Sequence, residues 1–195
     1  MTDTQQALLA ATRVCVARKG LAATTSRNIT SEAGANLAAI TYHFGSKDQL
    51  VAEALLAELR DWLQPTLEVL RGDGDPAART MLAIQVLMTT FERHHDEAPT
   101  LVQAVAQAPL LPSLQTGLVD LWTELREILG ADIAAMQRAD ELPGWIEPTT
   151  MAAVLVALAN GLVLHVTVDP QGPSLSDMAA QFGALILSVR SDHAG

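Results

Sequence analysis

Residues 24–50, TTSRNITSEAGANLAAITYHFGSKDQL, constrain the fold more than any other stretch. Two glycines and two polar caps divide them into short helices. Ser31-Glu32-Ala33-Gly34 ends a helix, because glycine adopts the left-handed terminating conformation without a Cβ clash. Asn36 then starts a helix through Phe44, and Gly45 breaks it. Ser46 with Gln49 three residues on predicts a capping box and a further helix. A helix, a glycine-containing turn and a second helix form the helix-turn-helix pattern, whose second helix can enter the DNA major groove.

The remaining sequence supports an all-α chain. Ala and Leu dominate, aromatics are 4%, and alternating β-branched runs are few. The 195 residues can bury a substantial core in one or two domains. The N-terminus has no basic-then-apolar leader, and the single cysteine, Cys15, cannot form an internal disulfide. Both features point to a cytoplasmic protein. The net charge of -10 argues against a nucleic-acid partner until its distribution is considered. Residues 1–47 carry five basic and two acidic residues, a net +3, and include both lysines. Residues 48–195 carry seven basic and twenty acidic, a net -13. A basic head on an acidic body suits phosphate binding, although a chance fluctuation gives the same charge count.

About residues 4–19 form a first helix with Leu8, Leu9, Ala11, Cys15 and Val16 on its apolar face. Thr24 or Thr25 caps a second, which turns Ile29 and Ala33 inward and leaves Arg27 and Asn28 outside. The third buries Ile40 and Phe44 at i, i+4. It therefore exposes Leu37, Ala38, Thr41, Tyr42 and His43. Small, hydroxyl and aromatic side chains on an outward face suit close approach to another molecule. For Tyr42 the competing reading is a half-buried ring closing the small core. A fourth helix from Ser46 to about Leu70 contains Pro65 and is too long to serve the head alone.

Beyond the loop at residues 71–76, helices are predicted at about 77–93, 99–108 and 114–139. The last carries Leu118, Trp122, Leu125, Leu129, Ile133 and Met136 inward. His94-His95-Asp96-Glu97 reads as a solvated helix end, because adjacent histidines diverge by about 100° on a helix. Residues 151–168 contain no charged residue, which touches the lower limit for a membrane span. Asn160, Gly161 and His165 interrupt them without close basic flanks, so a helix buried on all sides is expected and no membrane. Ala153, Ala157 and Gly161 recur every four residues. On a final helix at about 174–190, Leu175, Met178, Phe182, Leu185 and Val189 step by 3, 4, 3, 4. Together these positions predict a homodimer through the last two helices, with monomer core as the alternative. Met88, Phe91, Trp122, Met136, Asn160 and His165 are candidates to line a small-molecule site, although core packing accounts for the same residues.

The head resembles the DNA-binding domain of TetR-family transcriptional regulators from about Leu8 to Leu56. The resemblance rests on Lys19-Gly20, Thr24-Thr25-Ser26-Arg27-Asn28-Ile29, Glu32-Ala33-Gly34-Ala35-Asn36, Ile40-Thr41-Tyr42-His43-Phe44 and Ser46-Lys47-Asp48-Gln49-Leu50. Tyr-His-Phe-x-Ser-Lys after an Ala-Gly turn is highly specific to that family. Residues 57–195 match only in helix order and around Asn160-Gly161-Leu162 and Asp169-Pro170. The resemblance implies about nine helices: a three-helix head at residues 1–47, and a helical ligand-binding and dimerisation domain at residues 48–195. It implies a homodimer that binds double-stranded DNA at a near-palindromic operator, usually as a repressor, and is released by a small-molecule effector. By position, Thr25 and Arg27 would touch the DNA backbone or nearby bases. Asn36, Leu37, Ala38, Thr41 and Tyr42 would line the recognition surface, and His43 and Lys47 would hold phosphates. Departures occur at Ser26, Thr30 and Ala35, where the family usually has an apolar residue, alanine and valine. Ala38 and Thr41 replace commoner glycine and tyrosine, which bears on the operator sequence.

Other function classes carry weaker signals. No glycine-rich phosphate loop, metal-ligand spacing or nucleophile elbow occurs, so no cofactor, no metal and no enzymatic activity are expected. A Ser-His-Asp site assembled from distant residues stays open, with His165 its testable member. A helical protein-interaction module, or an activator without a small-molecule inducer, is the alternative to a ligand-released repressor.

Overall fold

Short-range hydrogen bonds decide where the helices of the head begin. The computed structural model describes residues 1–191, with side chains up to residue 185. Among these residues it contains nine α-helices, one 3-10 turn and no strand. Helix α1 (Asp3–Lys19) opens on a reciprocal cap between Thr2 and Gln5. Helix α2 (Ser26–Ala33) opens on Thr25, which exchanges bonds with Asn28. Thr24, the other predicted cap, is buried and donates its hydroxyl to the Gly20 carbonyl at 2.9 Å. Gly34 closes α2 at φ 62°, the left-handed conformation its position requires. At α3 (Ala38–Phe44), Asn36 Oδ1 accepts from the Ala39 N–H at 2.9 Å, so Asn36 caps the helix from just outside it.

Helix α4 (Lys47–Arg71) departs from expectation in one respect. Ser46 Oγ accepts from the Gln49 N–H at 3.0 Å, but the return half of the predicted capping box does not form. Gln49 instead donates to Glu53 at 3.1 Å and accepts from the Ser113 hydroxyl at 2.5 Å. A distant contact with Ser113 and a local one with Glu53 outcompete the return bond. Pro65 lies inside α4 without ending it.

The chain forms two compact units. The first comprises Met1–Asp61 with Asp96–Asp120. It holds α1 to α3, the first part of α4, α6 (Ala98–Gln107), the 3-10 turn Ala108–Leu110 and the start of α7 (Pro112–Arg138). Leu8, Ile29, Leu50, Leu114 and Leu118 are fully buried there. Each such side chain contributes on the order of 2 kcal/mol by leaving water. Gln103 of α6 accepts from the Leu21 N–H at 3.2 Å. A Cβ on Gly117 would lie 2.2 Å from Leu56 Cδ1, so glycine lets the α7 backbone pass directly against α4. Cys15 is buried, and desolvation, aided by the Glu32 carboxylate, raises its thiol pKa; the thiol is held protonated and inert.

The second unit comprises residues 62–95 and those from 121 onward. It holds the rest of α4, α5 (Pro76–Arg93), the rest of α7, α8 (Pro148–Val168) and α9 (Leu175–Ser191). Asp75 caps α5 by accepting from the Ala78 N–H at 2.8 Å, with Pro76 in the first turn. Trp62 meets Phe91 edge-on and stacks on His94 with ring centroids 5.0 Å apart. The predicted solvated end of α5 is therefore partly an aromatic contact. Ile133, Met136, Ile146 and Ala152 form a buried cluster.

Asp132 is 3% exposed. It pairs with the Arg79 guanidinium and accepts from the Thr80 hydroxyl at 3.2 Å, while Arg79 also donates to the Gly72 carbonyl at 2.6 Å. Glu147 caps α8: hydrogen bonds from Thr150, then from Thr149, lower its carboxyl pKa. Helix α8 is long and apolar enough to cross a membrane by length and composition. It is not buried on all sides as expected. Only Ala152 and Val163 are buried within the single chain, because α9 covers just part of its circumference.

Candidate nucleic-acid interface

The head exposes the start of α2 and one face of α3. Ile40 and Phe44 turn inward and anchor α3, as their i, i+4 spacing requires. Leu37, Ala38, Thr41 and Tyr42 are consequently exposed. Tyr42 is 84% exposed, which removes the reading of a half-buried ring closing the core. Its ring is held from one side by the edge of His43, with centroids 4.8 Å apart. His43 is half-buried and also meets Phe44 edge-on. An exposed aromatic held by a packed neighbour loses little entropy on binding. Thr25 and Arg27 are exposed at the start of α2. Asn36 is exposed, with its oxygen engaged as a cap.

The basic charge is less available than the count suggests. Arg13 pairs with Asp61 at 3.3 Å and donates to the Ala54 carbonyl at 3.2 Å. Arg18 pairs with Glu32 at 3.4 Å. Lys47 donates to the Thr24 carbonyl at 3.3 Å and lies 3.7 Å from Asp48. Lys19 and Arg27 are exposed. Lys47 is therefore held against the cap of α2, beside the exposed Thr25. The nine head residues singled out in the sequence are brought to two adjacent helix ends and one helix face.

The other singled-out residues are dispersed within the second unit. Met88 and Phe91 are buried on α5, and Met136 belongs to the cluster at the end of α7. Trp122 is half-buried. Asn160 donates to the Val156 carbonyl of its own helix at 2.8 Å, and His165 is exposed. Of the helix-pairing positions, Ala157, Gly161 and Leu185 are exposed, while Ala153, Met178 and Phe182 are half-buried. Leu175 is buried within its own chain and contributes to that core. Val189 lies outside the residues whose side chains are described. The buried Arg79–Asp132–Thr80 group was missed in the sequence. Its signal was an acidic residue on the stripe of Leu129, Ile133 and Met136.

Comparison with known proteins supports a regulator. Residues 8–54 match the family model described as bacterial regulatory proteins, tetR family. Residues 76–190 match that of the BetI-type transcriptional repressor, C-terminal. Among curated proteins none matches the sequence significantly. Several solved structures share the fold. A transcriptional regulator from Rhodococcus sp. Rha1 is 25% identical, with a TM-score of 0.71 and 95% of each chain covered. A TetR transcription regulator from Haloarcula marismortui is 20% identical, with a TM-score of 0.82 over 97% of this chain and 99% of that one. A transcriptional regulator from Saccharomonospora viridis, solved with choline, is 22% identical, with a TM-score of 0.78 over 95% and 96%. The helix-turn-helix head and a C-terminal match spanning more than half of the chain together establish that the chain belongs to the TetR family of bacterial transcriptional regulators, which bind DNA.

Proposed function

We propose that this regulator is a cytoplasmic homodimeric repressor that binds a near-palindromic operator and is released by a small molecule. The observation that carries the reading is the exposed face of α3, on which Leu37, Ala38, Thr41 and Tyr42 stand outward. Residues 1–47 read DNA, and residues 48–195 bind the effector and pair the subunits. Thr25, Arg27, His43 and Lys47 contact phosphates, and Asn36, Leu37, Ala38, Thr41 and Tyr42 face the bases. The exposed sides of α8 and α9, with Ala157, Gly161 and Leu185, are covered by the same helices of a second copy. Palindromic half-sites follow from that two-fold symmetry.

The effector binds in the second unit, where Trp122, Asn160 and His165 keep accessible surface among the candidate residues. Helix α4 runs from the head into that unit and acts as the lever. An effector that repacks the second unit tilts α4 and changes the separation of the two heads. Fixed half-site spacing converts a small shift into roughly 1–3 kcal/mol of lost affinity, about 5- to 150-fold. Choline is a first probe, since it was found in the Saccharomonospora viridis structure and a quaternary ammonium can stack on a tryptophan face. The test measures operator affinity, and the distance between spin labels on the two heads, with and without an inducer. Release with a changed separation is expected; release at unchanged separation contradicts the lever.

A further inference from the structure

The side chains that α3 exposes also restrict which bases it can read. Guanine is most often read by a bidentate Arg or Lys, and adenine by a bidentate Asn or Gln. Helix α3 supplies neither. No Arg or Lys occurs between Arg27 and Lys47. Arg27 lies on α2, the helix that crosses the DNA backbone in this motif. The Lys47 ammonium is held by the Thr24 carbonyl and Asp48. Asn36 is the one carboxamide at the start of α3, and its oxygen is taken by the Ala39 N–H at 2.9 Å. That cap takes one of the oxygen's two lone pairs and fixes the carboxamide's orientation, so Asn36 meets a base only from that pose, its amide donating to thymine O4 or a purine N7. Gln49 is turned away toward Glu53 and Ser113.

What remains is the Leu37 side chain, 52% exposed, the Ala38 methyl, the Thr41 methyl and hydroxyl, and the Tyr42 ring. Exposed apolar groups entering the major groove find one apolar partner there, the C5-methyl of thymine. We propose that this chain recognises its operator chiefly through thymine methyl groups, so that the base pairs under α3 are A·T with Leu37, Ala38 and Thr41 packed on the methyls. The proposal rests on α3 being the recognition helix. Thr41 and Leu37 are the specificity-determining residues, and α3 makes no bidentate contact to guanine.

Removing the methyl alone tests it. Each thymine in the α3 footprint is replaced in turn by deoxyuridine, and affinity is measured with the full-length protein. A loss of roughly fourfold per contacted methyl is expected, the scale of burying one such group. Thr41→Ser, which deletes the side-chain methyl and keeps the hydroxyl, and Leu37→Ala should each abolish that sensitivity at the base they cover. Replacing guanines in the footprint by 7-deazaguanine should cost less affinity than the deoxyuridine replacements do. Operator binding insensitive to deoxyuridine at every thymine, or weakened more by 7-deazaguanine than by deoxyuridine, overturns the thymine reading and leaves recognition by α3 standing. Failure of the unmodified protein to bind any operator overturns both.

Discussion

The hydroxyl of Thr66 is buried on α4, and among the described residues no partner lies within hydrogen-bond distance of it. Asp132 is as deeply buried but is satisfied by Arg79 and Thr80. An unpaired buried hydroxyl costs on the order of 1 kcal/mol, and valine has the same shape without it. Thr66→Val is therefore expected to raise Tm by about 2–4 °C in a chain of this size. A fall in Tm on thermal unfolding would show that the hydroxyl is bonded. At this scale the sequence was readable where a side chain answers to its neighbours along the chain. Tyr42 follows from the inward pair Ile40 and Phe44, and Asn36 from the turn before α3. It was not readable where the partner is remote: Asp132 finds Arg79 53 residues away.

Helix ends show the same division. Thr25, Gly34, Asp75 and Glu147 mark boundaries through bonds within four residues, and the first two were legible in the sequence. The Ser46 cap is legible only in half, because Ser113 and Glu53 take the Gln49 side chain that would have closed it. Between α5 and α7 the decisive contact is the buried Arg79–Asp132 pair, reinforced by the Arg79 bond to the Gly72 carbonyl. Arg79→Ala leaves a carboxylate buried without its cation. The expected cost is about 3–5 kcal/mol, measurable as a lower urea midpoint at an unchanged slope. A loss below about 1 kcal/mol, the range of surface pairs, would mean that Asp132 reaches water.

For the whole molecule, helix order and the all-α class were legible from caps and apolar spacing. How α8 is covered was not, because burial by a second chain and burial by the same chain give one apolar pattern. Val154 and Leu164 on α8 are about half exposed in the single chain, beside the exposed Gly161. If a second copy covers them, Leu164→Glu places charges in an apolar interface. The protein should then sediment as a monomer at micromolar concentration and lose operator affinity, while its thermal unfolding stays cooperative. An unchanged dimer mass would place the interface elsewhere. Effector residues were the least legible, since Met88, Phe91 and Met136 occupy core positions whether or not a ligand binds nearby.

The central claim is that the outward face of α3 reads DNA. It is tested most directly by measuring binding of the full-length protein to its own upstream DNA across a salt series, beside Tyr42→Ala. Tyr42 is 84% exposed, so its removal leaves the head folded. Affinity is expected to fall steeply with salt, as counterion release requires. Tyr42→Ala should lose at least about tenfold, the value of a single good contact of roughly 1.4 kcal/mol. Retained affinity in a folded Tyr42→Ala variant would contradict the account.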